Sequence, residues 1–343
     1  MRLVRENELV APVRMDDRAS AEPESAAELR SCALAARTRA LMARFGLHAV
    51  KSRGQNFLLE GNVAEGLVDA LGLDGTYGCV EVGAGLGALT LPLMRLAGRV
   101  VAYEVDRHLA AALQWLLADV ANIDIHAEDF LKADLGAACL TPGAPERWVA
   151  IGNLPYYITT PLLEKLLGAG TCGGPAFERI VVTMQAEVGE RILATPGGKE
   201  YGLLTLFCRY HAADIRRLFR IGPGAFLPRP QVDSIALVIT PRHAPPAEII
   251  APNVFFAVTG AAFRHRRKTL SRALKTGLAE TGAEPVDVAA ALAEAGIAPE
   301  RRAETLSFAE FTTLANAVVR VSGDALADRP GATDGIAGET EDR

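Results

Sequence analysis

"EVGAGLGALT", Glu81 to Thr90, follows the apolar run Cys79 to Val82 and leads into a helical pattern. Glycines at 83, 85 and 87 let the backbone turn tightly at a strand end and approach a ligand closely. On its own such a turn also serves as a plain structural bend. The next apolar run settles on an acid, Glu104, 21 residues after Gly83. A carboxylate there can accept hydrogen bonds from two ribose hydroxyls. Gly83, Gly85 and Glu104 together point to a nucleoside-bearing cofactor.

Outward from this turn, short apolar runs alternate with helical patterns. The strand candidates are Cys79 to Val82, Val100 to Val105, Asn122 to His126, Trp148 to Gly152 and Arg179 to Met184. Helical periodicity lies at Asn62 to Leu71, Leu86 to Leu96, Arg107 to Ala118 and Pro161 to Leu167, the last with Thr160 as its cap. Alternation of this kind implies an α/β fold, a parallel sheet covered by helices. Ala213 to Ile221 and Val232 to Ile239 read as an antiparallel pair closing the sheet, with "GPGAFLPRP" as a loop between them. Beyond Pro246 the pattern is helical: Val254 to Phe263, Arg267 to Leu278, Val286 to Ala295 and Phe308 to Val319, the last with a Ser307/Glu310 capping box.

The expected organisation is a mobile N-terminal extension over 1–46, with a short helix near Ala33 to Phe45. An α/β domain follows over 47–244, a small all-α domain over 245–322 and a disordered acidic tail over 323–343. Met42 is an alternative start.

The chain has 343 residues and a net charge of -5, which argues weakly against a nucleic-acid partner. The sum hides an asymmetry. From Arg209 to Lys275, twelve Lys or Arg face only Asp214, Asp233 and Glu248. Five widely spaced cysteines without a CxxC pair suggest buried thiols and no metal site. No apolar run approaches the roughly 18 residues of a membrane span, and no signal-peptide core is present, so a cytoplasmic protein is expected.

NAD and S-adenosylmethionine both suit a glycine turn with a following acid. The usual dinucleotide spacing is GxGxxG, whereas here it is GxGxG behind Glu81. Asp129 in "HAEDF" is placed to accept from an adenine amino group, or simply to cap a loop. The stretch "IGNLPYYITTPLL", residues 151 to 163, decides between the cofactors. An exocyclic aromatic amine has its lone pair delocalised into the ring, so a methyltransferase must hold it in an attacking geometry. The side-chain oxygen of Asn153 and the carbonyl of Leu154 can accept its two N–H bonds. Pro155 fixes the turn, and Tyr156 offers a flat face to the base.

With these residues the chain resembles the bacterial small-subunit ribosomal RNA adenine dimethyltransferases. The likeness rests on "GQNFL", "EVGAGLGALT", "AEDF", "GNLPYYITTPLL", "MQAEVGERI", "PGAFLPRPQVDS", "RRKTL" and "RAETLSFAEFTTLAN", in order from Gly54 to Asn316. It implies a Rossmann-like S-adenosylmethionine-dependent methyltransferase sheet with a small all-α C-terminal domain. It also implies a monomer that dimethylates two adjacent adenosines near the 3′ end of small-subunit rRNA in a pre-30S particle. The cofactor contacts it implies fall on Asn56, Leu58, Gly83, Glu104, Asp129 and Asn153. Two positions leave the common pattern, Tyr157 after the NLPY motif and Arg53 before "GQNFL". "SRGQNFL" then reads as a lid, with Asn56 toward the methionine end of the cofactor and Phe57 and Leu58 excluding water.

"FRHRRKTL" supplies cations Arg264, Arg266, Arg267 and Lys268 at an expected helix start, suited to phosphate contact. Phe226 is either a second stacking surface for the target base or a core anchor under its loop. Competing readings are a large-subunit rRNA adenine methylase of the antibiotic-resistance type, a non-catalytic ribosome assembly factor and, last, a dehydrogenase.

Overall fold

The computed structural model describes residues 25–322 apart from 51–53, 169, 171, 247 and 281–285. Arg53 and the acidic stretch 323–343 therefore lie outside the described residues. Strands β1 (Phe57–Leu58), β2 (Tyr77–Val82), β3 (Arg99–Tyr103), β4 (Ile123–His126) and β5 (Arg147–Asn153) are followed by β6 (Phe177–Gln185), β7 (Ala212–Ile221), β8 (Phe226–Leu227) and β9 (Ser234–Pro241). Seven of them form one sheet in the order β4-β3-β2-β5-β6-β9-β7. β4, β3, β2, β5 and β6 run parallel; β9 is antiparallel to β6 and to β7, as the sequence suggests. The chain turns outward on either side of β2, so a crevice opens at the carboxyl ends of β2 and β5, where open α/β sheets bind ligands.

Helices α1 (Ala26–Ser31), α2 (Leu34–Phe45), α3 (Gly61–Asp69), α4 (Thr90–Leu96) and α5 (Arg107–Leu116) pack on one face. Helices α6 (Leu135–Cys139), α7 (Thr159–Gly168), α8 (Ala186–Leu193) and α9 (Leu203–His211) cover the other. Alternate strand residues feed the two cores: Cys79, Val149 and Ile151 go to the first, Val80 and Ala150 to the second. A third core joins α10 (Pro252–Arg264), α11 (Leu270–Glu280), α12 (Val288–Glu294) and α13 (Phe308–Ser322). Tyr201, Leu206 and Tyr210 belong to this third core while Leu204, Phe207 and Cys208 belong to the sheet, so α9 is shared. The expected Ser307/Glu310 capping box is present, with Glu310 N donating to Ser307 Oγ at 3.2 Å and Ser307 N to Glu310 Oε2 at 2.8 Å.

Several expectations need correction. Residues 26–45 are not a loose extension. Leu29, Leu34 and Leu41 are buried in the first core, and Arg30 binds Asp119 through both ends of its guanidinium at 2.6 and 2.8 Å. Met42 sits inside α2, and residues 1–24 lie outside the described ones. α4 starts at Thr90 rather than Leu86, because positive φ at Gly85 and Gly87 keeps the helix from beginning. α7 starts at Thr159 rather than behind a Thr160 cap, which puts Pro161 in a first turn that needs no N–H donor. α11 starts at Leu270, so Arg266 to Lys268 occupy the turn before it. The "GPGAFLPRP" loop contains β8, paired antiparallel with β1 through Phe57↔Leu227 and Leu58↔Phe226.

Candidate active site

Five chain segments converge on one pocket. Its lining contains Asn56 just before β1 and Leu58 within it, Gly83 and Gly85 after β2, Glu104 after β3, Asp129 after β4, and Asn153, Leu154, Pro155 and Tyr156 at the end of β5. It opens to solvent on one side, and its space is about 1100 Å³ with that open mouth included.

The glycine turn makes the floor. Gly83 has φ 75°, and a Cβ there would find only the Asn153 carbonyl within 4 Å, at 3.9 Å. The backbone thus borders open space that a side chain would otherwise fill, a cradle that fits a closely held cofactor. Glu104 is 6% exposed. Its Oε2 accepts from Gly85 N at 2.8 Å and its Oε1 from Asp106 N at 2.9 Å, so backbone donors aim and hold the carboxylate. Asp129 caps its loop and also faces the pocket. Its Oδ1 accepts from Leu131 N at 3.0 Å, capping a short turn, while the residue lines the pocket.

Asn153 ends β5 opposite Thr183 of β6. Its Nδ2 donates to the Asn56 carbonyl at 3.0 Å, and its Oδ1 accepts from Thr183 Oγ1 at 2.5 Å. A carbonyl can only accept, so the Asn56 contact decides which end of the amide is nitrogen. Oδ1 keeps a second lone pair for a substrate N–H. Leu154 donates its N–H to the Thr183 carbonyl at 3.0 Å and buries its side chain in the core. Pro155 leads into a single 3₁₀ turn, Tyr156–Ile158, and the Tyr156 hydroxyl meets Ser234 Oγ at 2.7 Å. Burial raises the Tyr156 pKa, the Ser234 bond opposing it, so this phenol stays neutral.

Sequence reasoning missed several supports. Glu81 is buried and lines the pocket, and it accepts from Thr90 Oγ1 at 2.7 Å. Burial pushes its pKa up to about 8; the Thr90 bond works against this and the Glu104 charge adds to it. Lys165 donates to the carbonyls of Leu131 at 3.0 Å and Ala133 at 2.6 Å, bracing the loop that carries Asp129. Val105, 53% exposed, leaves an apolar wall at the mouth. Thr183 announced itself only as a polar interruption of the run "RIVVTM".

The expected RNA contacts do not share the pocket, and they divide. Phe226 is 4% exposed, sits in the first core and is absent from the pocket wall. It is the core anchor: the ring is buried among first-core residues and offers no open face for stacking. Arg266 donates to the carbonyls of Gly198 at 3.4 Å and Lys199 at 2.6 Å, tying the α10–α11 turn to the segment before α9. Arg264 pairs with Glu280 at 3.5 Å. Arg267 and Lys268 are exposed, and their side chains have no protein partner among the described residues.

A family model described as ribosomal RNA adenine dimethylase matches residues 46–319. The ribosomal RNA small subunit methyltransferase A of Geobacillus thermodenitrificans is 40% identical over 285 residues, covering 82% of this chain and 95% of that protein. The protein of the same name from Shouchella clausii is 41% identical over 290 residues, covering 84% and 96%. Among solved structures, a dimethyladenosine transferase from Plasmodium falciparum superposes with a TM-score of 0.62 at 21% identity, over 75% of this chain and 95% of that one. The 23S rRNA methyltransferase ErmE gives 0.56 at 23% identity, over 77% and 99%, and at these identities the likeness speaks for the fold alone. With the family model spanning the sheet, the pocket and the C-terminal helices, the chain belongs to the ribosomal RNA adenine dimethylase family.

Proposed function

We propose that this chain uses S-adenosylmethionine to dimethylate N6 of two adjacent adenosines near the 3′ end of small-subunit (16S) rRNA, acting as a monomer on a pre-30S particle. One observation carries the reading: the paired acceptors Asn153 and Leu154 share a single pocket with Gly83 and Glu104. The names of relatives that are 40% and 41% identical support the small subunit as target.

S-adenosylmethionine supplies a sulfonium-bound methyl group, electrophilic enough that no strong general base is needed. The chain's own task is placement. Glu104 offers its carboxylate to the ribose, Asp129 an acceptor to the cofactor's adenine amino group, and Asn56 a polar contact to the methionine end. Leu58, Gly83 and Gly85 close the wall around them. Asn153 Oδ1 and the Leu154 carbonyl accept the two N–H bonds of the target amine, so its lone pair faces the methyl group. Tyr156 lies flat against the base with its hydroxyl moored to Ser234. The proton displaced from N6 passes to water.

Residues 47–244 serve as the methyltransferase domain and 245–322 as an RNA-binding helical domain, with Arg267 and Lys268 meeting phosphate. The decisive experiment is tritiated-methyl transfer to small subunits lacking the modification, followed by primer extension. Two adjacent dimethyladenosines near the 3′ end are expected. Label in large-subunit RNA alone would overturn the target, and binding of the particle without transfer would leave an assembly factor.

A further inference from the structure

We propose that Tyr157 is an outer stacking platform, at the rim of the pocket that receives the target base, for the RNA base that neighbours the target adenosine. The proposal rests on the RNA-methylation reading above. Tyr157 is 58% exposed; every other Phe, Tyr and Trp among the described residues is buried or half-buried. Solvent exposure forfeits the large apolar area that a ring normally contributes to folding. This chain leaves its one such ring at the rim of the candidate active site, where it forms part of the pocket wall.

The local backbone explains how two consecutive tyrosines come to face different ways. Tyr156–Ile158 is a single 3₁₀ turn, in which successive side chains stand about 120° apart. Tyr156 goes inward to Ser234. Tyr157 goes to the rim and lies along the backbone of Gly54. A Cβ on Gly54 would stand 3.3 Å from Tyr157 Cδ1 and 3.6 Å from Cε1, and Gly54 itself has φ 59°. The Gly54 backbone thus lies against one edge of the ring, and more than half of the residue is open to solvent. The Tyr157 hydroxyl has no hydrogen-bond partner among the described residues. What remains on offer is an aromatic surface.

That surface suits a specific need. Drawing an adenine into the pocket removes it from the stack and strands its neighbour, and single-stranded RNA bases are commonly received on aromatic side chains. Stacking of this kind tolerates any base and adds affinity without touching the transferred methyl group.

The test uses the full chain with Tyr157→Ala, Tyr157→Phe and Tyr157→Trp. The probe is a short RNA carrying the two adjacent adenosines, with 2-aminopurine beside the target. Wild type, Tyr157→Phe and Tyr157→Trp should quench the probe on binding; Tyr157→Ala should not. Tyr157→Ala should also raise KM for undermethylated small subunits about tenfold, the scale of one stacked base. Its Kd for S-adenosylmethionine by calorimetry and its thermal unfolding should match wild type. Full quenching and an unchanged KM in Tyr157→Ala would overturn the proposal, as would equal loss in Tyr157→Phe, which would assign the effect to the hydroxyl. If wild type transferred no methyl to small subunits the function reading would fail, and the quenching alone would still decide the platform.

Discussion

Thr183 holds both proposed acceptors for the target amine: its hydroxyl donates to Asn153 Oδ1 at 2.5 Å, and its carbonyl accepts the N–H of Leu154 at 3.0 Å. The residue is buried on β6, directly across from Asn153 in the parallel pairing. One side chain of the neighbouring strand therefore fixes, with the Asn56 carbonyl, the orientation of the Asn153 amide.

Thr183→Val keeps the shape and removes the donor. A net hydrogen bond of about 1–1.5 kcal/mol lost from the site corresponds to roughly a tenfold fall in kcat. Thr183→Ser should recover most of the rate, and calorimetry should find S-adenosylmethionine bound as before. A wild-type kcat in Thr183→Val would show that Asn153 needs no such brace.

Glu81 makes stability depend on pH. Its folded pKa is about 8 against 4.5 unfolded, so between those values the folded state holds more protons and stability falls as pH rises. Glu81→Gln removes the titration. Relative to wild type its Tm should gain steadily from pH 5 to pH 8, by the equivalent of a few kcal/mol at most. Parallel melting curves at all pH values would mean that the carboxyl is not held neutral.

Arg267 and Lys268 are free to meet phosphate, and Arg266 is not. Replacing the first two with glutamine should lower the slope of log affinity against log salt by about 2, with little change in Tm. Arg266→Gln should instead lower Tm, because it strands the Gly198 and Lys199 carbonyls. A salt slope unmoved by the double variant would take the α10–α11 turn out of the RNA contact.

Leu41 is fully buried where α2 meets the sheet layer. Leu41→Ala should cost about 2–5 kcal/mol in denaturant unfolding, the usual range for a core leucine. A loss near zero would restore the picture of a dispensable N-terminal segment.

Phe226→Ala should destabilise by about 3–5 kcal/mol, whereas Phe226→Leu should fold and keep wild-type KM for RNA. A raised KM in the leucine variant would return Phe226 to a stacking role.

Four residues of the pocket were legible because each sits at or just past the carboxyl end of a strand, where sequence position and spatial position coincide. Gly83, Glu104, Asp129 and Asn153 all follow that rule. Residues that act across the chain were not legible. Thr183 reaches Asn153 over 30 residues and Ser234 reaches Tyr156 over 78, and neither carries a local signal beyond a polar side chain in an apolar run. The helix near Ala33 to Phe45 was read and is α2, but the docking of the N-terminal helices was missed for a related reason. Arg30 gains its place from Asp119, 89 residues on, so no local period reveals that α1 has a partner. Phe226 stood between two readings because a glycine- and proline-rich loop hides a two-residue strand whose partner, β1, lies far back in the sequence.

The ties between early and late segments also set the order in which the pocket is completed. The chain is made from its N-terminus, so Asn56, Glu104 and Asn153 leave the ribosome before Phe226, Leu227 and Ser234 that fasten β1 and Tyr156. A nascent chain halted before residue 226 would contain the glycine turn and both asparagines and still lack those two fastenings. The two fastenings of the pocket therefore form only once residues 226 to 234 have been made.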